Sequence, residues 1–302
     1  MTEPPSIDLG KCVECEACLE LCPEVFKRSE AGYIEVAALE VYPEECIREA
    51  MKYCRSDCIF WEEPEQERRG LVVPKGRGTG LRSRVEVLLR IGDVRAHLPE
   101  WSRFPSRQVI NPLLSFLYSG EDLVKWRAVS AIGVVMARMG EEDMEAAREI
   151  MRRLIWNLND ESGGIGWGSP EAMGEIMALH EKLAQEYAHL LVSYIKPDGN
   201  PLEHALLERG VLWGLGRLAQ ERPLLLQEAA PYFFPYLKSK DPFHRGLAAW
   251  ALGFLKANVS RTALEPLLDD PIPIQVFENG RLNEIRIRDL AERALRATPV
   301  RS

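Results

Sequence analysis

A single short stretch holding Cys12, Cys15, Cys18 and Cys22, the last followed by Pro23, constrains this chain more than any other feature. The run C-x2-C-x2-C-x3-C-P lets successive thiolates converge on one centre without a long intervening loop, and soft sulfur ligands suit iron-sulfur chemistry better than hard cations. Zinc also binds paired cysteines, but structural zinc sites usually draw two pairs of ligands from separate knuckles. Three cysteines at steps of three, closed by Cys-Pro, favour a cubane 4Fe-4S cluster over zinc or a scaffold held by disulfides alone.

On this run, residues 1–63 resemble bacterial ferredoxins. A two-cluster ferredoxin would repeat the run, and with Cys54 as its last member the others would fall where Glu44, Ile47 and Ala50 stand. The second cluster therefore has no ligands. In single-cluster ferredoxins of this type the fourth ligand comes from a distant cysteine late in the module. The resemblance thus implies Cys12, Cys15, Cys18 and Cys54 as cofactor-binding and iron ligands of one cluster. It also implies a disulfide between Cys22 and Cys46, against the alternative of two buried free thiols. Cys15 stands where related proteins with a three-iron cluster tend to have Asp, so four irons can be held; loss of one on oxidation would leave 3Fe-4S. Arg55 replaces the proline that usually follows the fourth ligand, and a cation there should raise the cluster's potential. Cys58 is a second departure, read either as a replacement for Cys54 or, preferably, as an inert buried thiol. The segment from Pro43 to Tyr53 reads as a short helix in the place of the lost cluster, with Glu44 and Glu45 in its first turn.

A chain of 302 residues, 46% hydrophobic, exceeds what one such module needs. All seven cysteines lie within the first 58 residues, so the remainder carries no thiol chemistry. Residues 1–63 contain 6 Lys or Arg and 15 Asp or Glu, a net charge of −9 against −8 for the whole chain. Such acidity suits a redox partner protein with a basic docking patch. MTEPPSID has no basic-then-apolar run of a secretory signal, and the longest apolar stretch is well short of the ~20 residues a membrane helix needs. The expectation is a cytoplasmic protein with no membrane partner.

Residues 64–81 are rich in Gly, Pro and basic groups and read as a linker, whose flexible-coil span would be on the order of 20 to 25 Å. The linker's charge could meet a phosphate or nucleic acid, or strap across the acidic cluster module; without interleaved aromatic residues, and beside a helical domain that is not basic, a solvated linker is the preferred reading. Beyond it, over 82–302, apolar residues recur at steps of three and four, as in Leu123–Met139, Met144–Leu158 and Leu183–Ile195, with breaks at Gly120, Gly140, Gly199, Pro223 and Pro242. An Arg followed by small or apolar residues and Gly recurs as RAVSAIG from Arg127, RGVLWGLG from Arg209 and RGLAAWALG from Arg245. This pattern resembles HEAT and armadillo repeats. The fold class expected is multidomain: a small α+β ferredoxin-like domain, then an all-α HEAT-like solenoid. Asn279-Gly280 between short apolar runs marks a β-hairpin, followed by a helix from about Ile287 to Ala297, placed to cap the solenoid's end or to serve as a docking surface.

One further stretch, NLNDESGGIGWGSPEAMGE from Asn157, could hold a ligand or partner through Asp160, Glu161, Gly164, Gly166, Trp167 and Glu171, with Ser169 as helix cap and Trp156 as a second stacking wall. No Gly-Lys-Ser/Thr follows, so it is no P-loop. An ordinary inter-helix loop is the alternative. The histidines lack metal-site spacing. The sequence as a whole reads as a redox adaptor with no catalytic residues of its own: the repeats hold a partner while the cluster exchanges single electrons with it. A scaffold with a structural or redox-sensing cluster, and an enzyme built on the glycine-rich loop, are the rival readings.

Overall fold

A computed structural model describes residues 4–7, 12, 15–29, 33–39, 41–54, 58–61, 81–159, 166–202, 204–255 and 261–297. The linker over 64–80, Arg55, and the loop residues Asp160, Glu161 and Gly164 lie outside the described residues.

The N-terminal domain contains β1 (Pro5–Ile7), α1 (Ala17–Leu21), β2 (Phe26–Arg28), β3 (Ile34–Val36), α2 (Glu44–Tyr53) and β4 (Ile59–Trp61). β1 pairs antiparallel with β4, Ser6 opposite Phe60, and β2 with β3, Lys27 opposite Glu35. Helix α2 begins just after Pro43, with Glu44 and Glu45 at its positive end. Its Ile47 and Ala50 are fully buried against Val25, Phe26 and Ile34. Two of the positions that would have ligated a second cluster, Ile47 and Ala50, have thus become part of this domain's core, while Glu44 is exposed.

A second, separate core belongs to the helices. These are α3 (Leu81–Ile91), α4 (Leu98–Trp101), α5 (Ser106–Ser115), α6 (Asp122–Glu142), α7 (Met144–Asn159), α8 (Ser169–Leu179), α9 (Glu181–Ser193), α10 (Ala205–Glu221), α11 (Phe234–Leu237), α12 (Pro242–Leu255) and α13 (Arg261–Leu264). Strands β5 (Pro273–Glu278) and β6 (Arg281–Arg286) and helix α14 (Ile287–Ala297) close the chain. Helices α6, α8, α10, α12 and α14 form one row in which each packs on the next; α5, α7, α9, the 3-10 stretch Pro223–Phe233 with α11, and α13 lie outside it. Stacked helix pairs of this kind make a solenoid of HEAT-like repeats. Among the described residues no helix is long and apolar enough to cross a membrane.

The recurring arginines tie the row to its connections. Arg127 donates to the carbonyls of Leu89 and Arg90, Arg209 pairs with Asp241 at 2.8 Å, and Arg245 pairs with Asp270 at 2.7 Å. Each guanidinium satisfies groups at the edge of an adjacent repeat, which is why the residue recurs with the repeat.

Glycines let the inner helices approach. A Cβ on Gly174 would stand 2.3 Å from the Cα of Gly214, so α8 and α10 meet backbone to backbone. Gly174→Ala should therefore force the two helices apart and cost about 1 to 3 kcal/mol by overpacking, read as a lowered urea midpoint of the full chain; an unchanged midpoint would contradict this packing. Gly140, expected as a helix break, lies inside α6, which runs on to Glu142. Its role is steric: a Cβ there would sit 2.6 Å from Nε2 of His180.

The hairpin departs from expectation in its placement. Asn279 (φ 55°) and Gly280 (φ 75°) make the predicted turn. The strands do not simply cap the end of the solenoid: they turn back across the inner helices. The Phe277 ring stacks on Trp126 at 5.1 Å, its carbonyl accepts from Trp213 Nε1 at 3.0 Å, and Glu278 accepts from Trp250 Nε1 at 3.2 Å. Trp126, Trp213 and Trp250 come from α6, α10 and α12, so the hairpin bridges helices far apart in sequence. Ile274 and Val276 are buried beneath it, an apolar burial that favours this position over an exposed cap.

The two domains also touch. Asn111 Nδ2 of α5 donates to the Ile7 carbonyl at 2.5 Å, and the Arg153 guanidinium of α7 lies 4.9 Å from the Tyr33 ring. These contacts seat the cluster domain on α5 and α7.

Candidate functional site

The cysteine run folds around α1. Glu16, immediately before the helix, takes a left-handed backbone (φ 60°), and Cys18 lies on the first turn, buried. Cys12 and Cys15 precede it, half-buried. Cys54 caps the C-terminus of α2 in an extended conformation (φ −67°, ψ 111°), which carries its side chain off the helix. Helices α1 and α2 pack together, and this brings the late cysteine to the early three.

Their proximity is visible in the electrostatics. Burial, and then the neighbouring thiols of Cys12, Cys15 and Cys54, push the Cys18 thiol up to about 11. Thiols gathered around a buried Cys18 fit a polycationic iron centre, since ligation of the thiolate to iron offsets the penalty on its ionisation. The donor set is all sulfur, with Leu19, Val25, Ile47 and Ile59 in the same cluster of side chains. Apolar packing of this kind limits water around a cluster and so helps set its potential.

The other three cysteines divide differently. Cys22 and Cys46 are joined, Sγ to Sγ at 2.03 Å, linking the end of α1 to α2. Sulfurs so bonded are not available to a metal, although the Glu24 carboxylate lies beside them. Cys58 is buried, its Sγ 3.2 Å from that of Cys54, and its backbone N–H donates to Cys54 Sγ at 3.3 Å. Around α1 and α2 the carboxylates of Glu20, Glu24, Glu45 and Glu49 are exposed, which makes this face acidic.

The glycine-rich loop leads to a second feature. Ser169 does not cap α8: Gly168 (φ 74°) holds the cap position, and Ser169 is buried within the first turn. Glu171 is buried too, its carboxylate accepting from Lys125 Nζ at 2.9 Å and lying over Gly210, where a Cβ would come within 2.6 Å. Lys125 is a partner that sequence reasoning missed, since nothing local links residues 46 positions apart. Trp167 meets His204 edge-on at 5.1 Å and, with Trp126, Trp213, Phe243 and Glu171, lines a cavity of about 290 Å³. Gly166 packs against the Asn157 carbonyl instead, and Trp156, expected as a second wall, is 70% exposed. Glu175, further along α8, is paired as well: Arg217 Nε donates to it at 2.6 Å. The ionised groups of this region are paired with each other, which is what interior charges require.

Comparison with known proteins agrees with both halves. Residues 7–61 match the 4Fe-4S single cluster domain of Ferredoxin I, and residues 206–255 match a HEAT-like repeat. Ferredoxin-2 of Nitratidesulfovibrio vulgaris is 43% identical over 58 residues, which is 19% of this chain and 89% of that protein. Ferredoxin-1 of Desulfocurvibacter africanus is 33% identical over 60 residues, again 19% of this chain and 89% of its own length. An uncharacterized protein of Archaeoglobus fulgidus is 26% identical over 183 residues, 59% of this chain and 91% of that one. Among solved structures, computationally designed armadillo repeat proteins for modular peptide recognition cover 72% of this chain and 92% of theirs, with 16% identity and a TM-score of 0.43.

Proposed function

Because the chain belongs, through its N-terminal domain, to the ferredoxins, we propose that it is an electron-transfer adaptor with one 4Fe-4S cluster held by Cys12, Cys15, Cys18 and Cys54. The observation that carries this reading is the convergence of those four thiols where α1 meets the end of α2. The cluster would supply one-electron chemistry. The chain's own residues do the rest. The N–H of Cys58 supports negative charge on Cys54 Sγ, the Cys22–Cys46 bond holds α2 against α1, and the apolar side chains between them limit water. The cysteine in the second position of the run, Cys15, allows four irons rather than three, and its loss of iron on oxidation would give 3Fe-4S.

The exposed carboxylates of α1 and α2 suit a redox partner with a basic patch, and the repeat domain offers the extended protein surface to hold it. A cytoplasmic setting follows from this reading.

An anaerobic redox titration followed by electron paramagnetic resonance tests it. A reversible one-electron signal is expected, lost or altered in Cys54→Ser and retained in Cys58→Ser. A cluster that disintegrates on reduction would instead favour a scaffold with a structural or oxygen-sensing cluster.

A further inference from the structure

Cys58 departs from the ferredoxin pattern, and its surroundings give it a task. Its sulfur lies 3.2 Å from that of Cys54, against about 2.05 Å in a disulfide, so a shift of roughly 1 Å would join them. The two are unequally accessible: Cys54 is half-buried at the end of α2, whereas Cys58 is 3% exposed. Small reagents reach the first and are shielded from the second. The Cys58 N–H donates to Cys54 Sγ at 3.3 Å, which holds that sulfur beside Cys58. Cys22 and Cys46 are already bonded to each other and cannot compete.

We propose that Cys54 and Cys58 form a thiol pair that, when the cluster is absent, closes to a disulfide by exchange with a low-molecular-weight disulfide and so withdraws the fourth cluster ligand until a thiol reductant restores it.

In the first step the Cys54 thiolate attacks one sulfur of the reagent RSSR. A Cys54–S–S–R bond forms, the reagent's own S–S bond breaks and RS⁻ leaves. The Cys58 thiolate then attacks the Cys54 sulfur, forms the intramolecular bond and expels a second RS⁻. The protein loses two electrons and two protons, and RSSR becomes two RSH. With iron bound, Cys54 sulfur is ligated and the exchange is blocked. Without it, the disulfide shields both sulfurs from irreversible oxidation to sulfinic or sulfonic acid.

The withdrawal of a ligand rests on the assignment of Cys54 made above; the thiol pair does not. The test uses the full chain, stripped of iron anaerobically with a chelator, incubated with oxidised glutathione, then alkylated, digested and weighed. The expected product has Cys54 and Cys58 joined and unalkylated, and fails to rebuild a cluster with iron and sulfide, by tenfold or more, until dithiothreitol is added. In Cys58→Ser, Cys54 should instead accumulate as the mixed disulfide with glutathione, at least fivefold over the unmodified sequence. Cys58 recovered alkylated while Cys54 carries glutathione, or Cys54 joined to Cys12, Cys15 or Cys18, would overturn the thiol pair. A Cys54–Cys58 disulfide in a chain that still builds a full cluster would leave the pair standing and overturn both the withdrawal and the ligand assignment.

Discussion

Cys18→Ala is expected to remove the iron-sulfur cluster, lowering iron in the anaerobically reconstituted protein from about four atoms per chain to near none. Cys18 is the buried member of the set, on the first turn of α1, and burial together with the other three thiols raises its pKa. Water reaches that position poorly, so no solvent ligand can take its place. Cys46→Ala makes the control. It opens a disulfide that spans 24 residues, which the loop-entropy model values at about 3 kcal/mol, yet it removes no proposed ligand. Iron content should therefore stay near four per chain while the urea midpoint of the N-terminal domain falls. Equal loss of iron in the two variants would sink the ligand set, because it would mean that fold stability rather than coordination governs iron retention.

Arg217→Ala should destabilise the repeat domain by about 3 kcal/mol, read as a lowered urea midpoint of tryptophan fluorescence in the full chain. Arg217 and Glu175 are almost wholly buried, their side chains 5% and 4% exposed, and joined at 2.6 Å. Removing the cation leaves a carboxylate in the interior that keeps only a looser pairing with the half-exposed Arg95, 3.7 Å away. That residual contact places the effect at the lower end of the range for a broken buried pair. Replacing both partners, as Arg217→Met with Glu175→Leu, should recover most of the loss, since an apolar pair of similar volume leaves nothing uncompensated. A single-variant loss under 1 kcal/mol would show that water enters this place freely.

Much of this protein is legible in its sequence, and what is legible is local. Three of the four proposed ligands sit within seven residues, the vacated second cluster is read from Glu44, Ile47 and Ala50, and Asn279-Gly280 specifies its own turn. The last helix runs from Ile287 to Ala297 as its periodicity predicts. Each of these depends on backbone preference or ligand spacing inside a short window, where no distant residue has a vote.

Tertiary structure decided the rest. Gly140 looks like a helix break and is instead clearance for His180; Glu175, at the end of the glycine-rich stretch, takes its partner Arg217 from 42 residues on. The hairpin's turn is local, but its place across Trp126, Trp213 and Trp250 is set by apolar surface assembled from three helices. Cys58 reads alone as an inert thiol, and only the fold puts its sulfur and its N–H on Cys54. The physical reason is common to all four: steric clearance, charge pairing and burial depend on which surfaces are brought together, and no short window of sequence contains both surfaces.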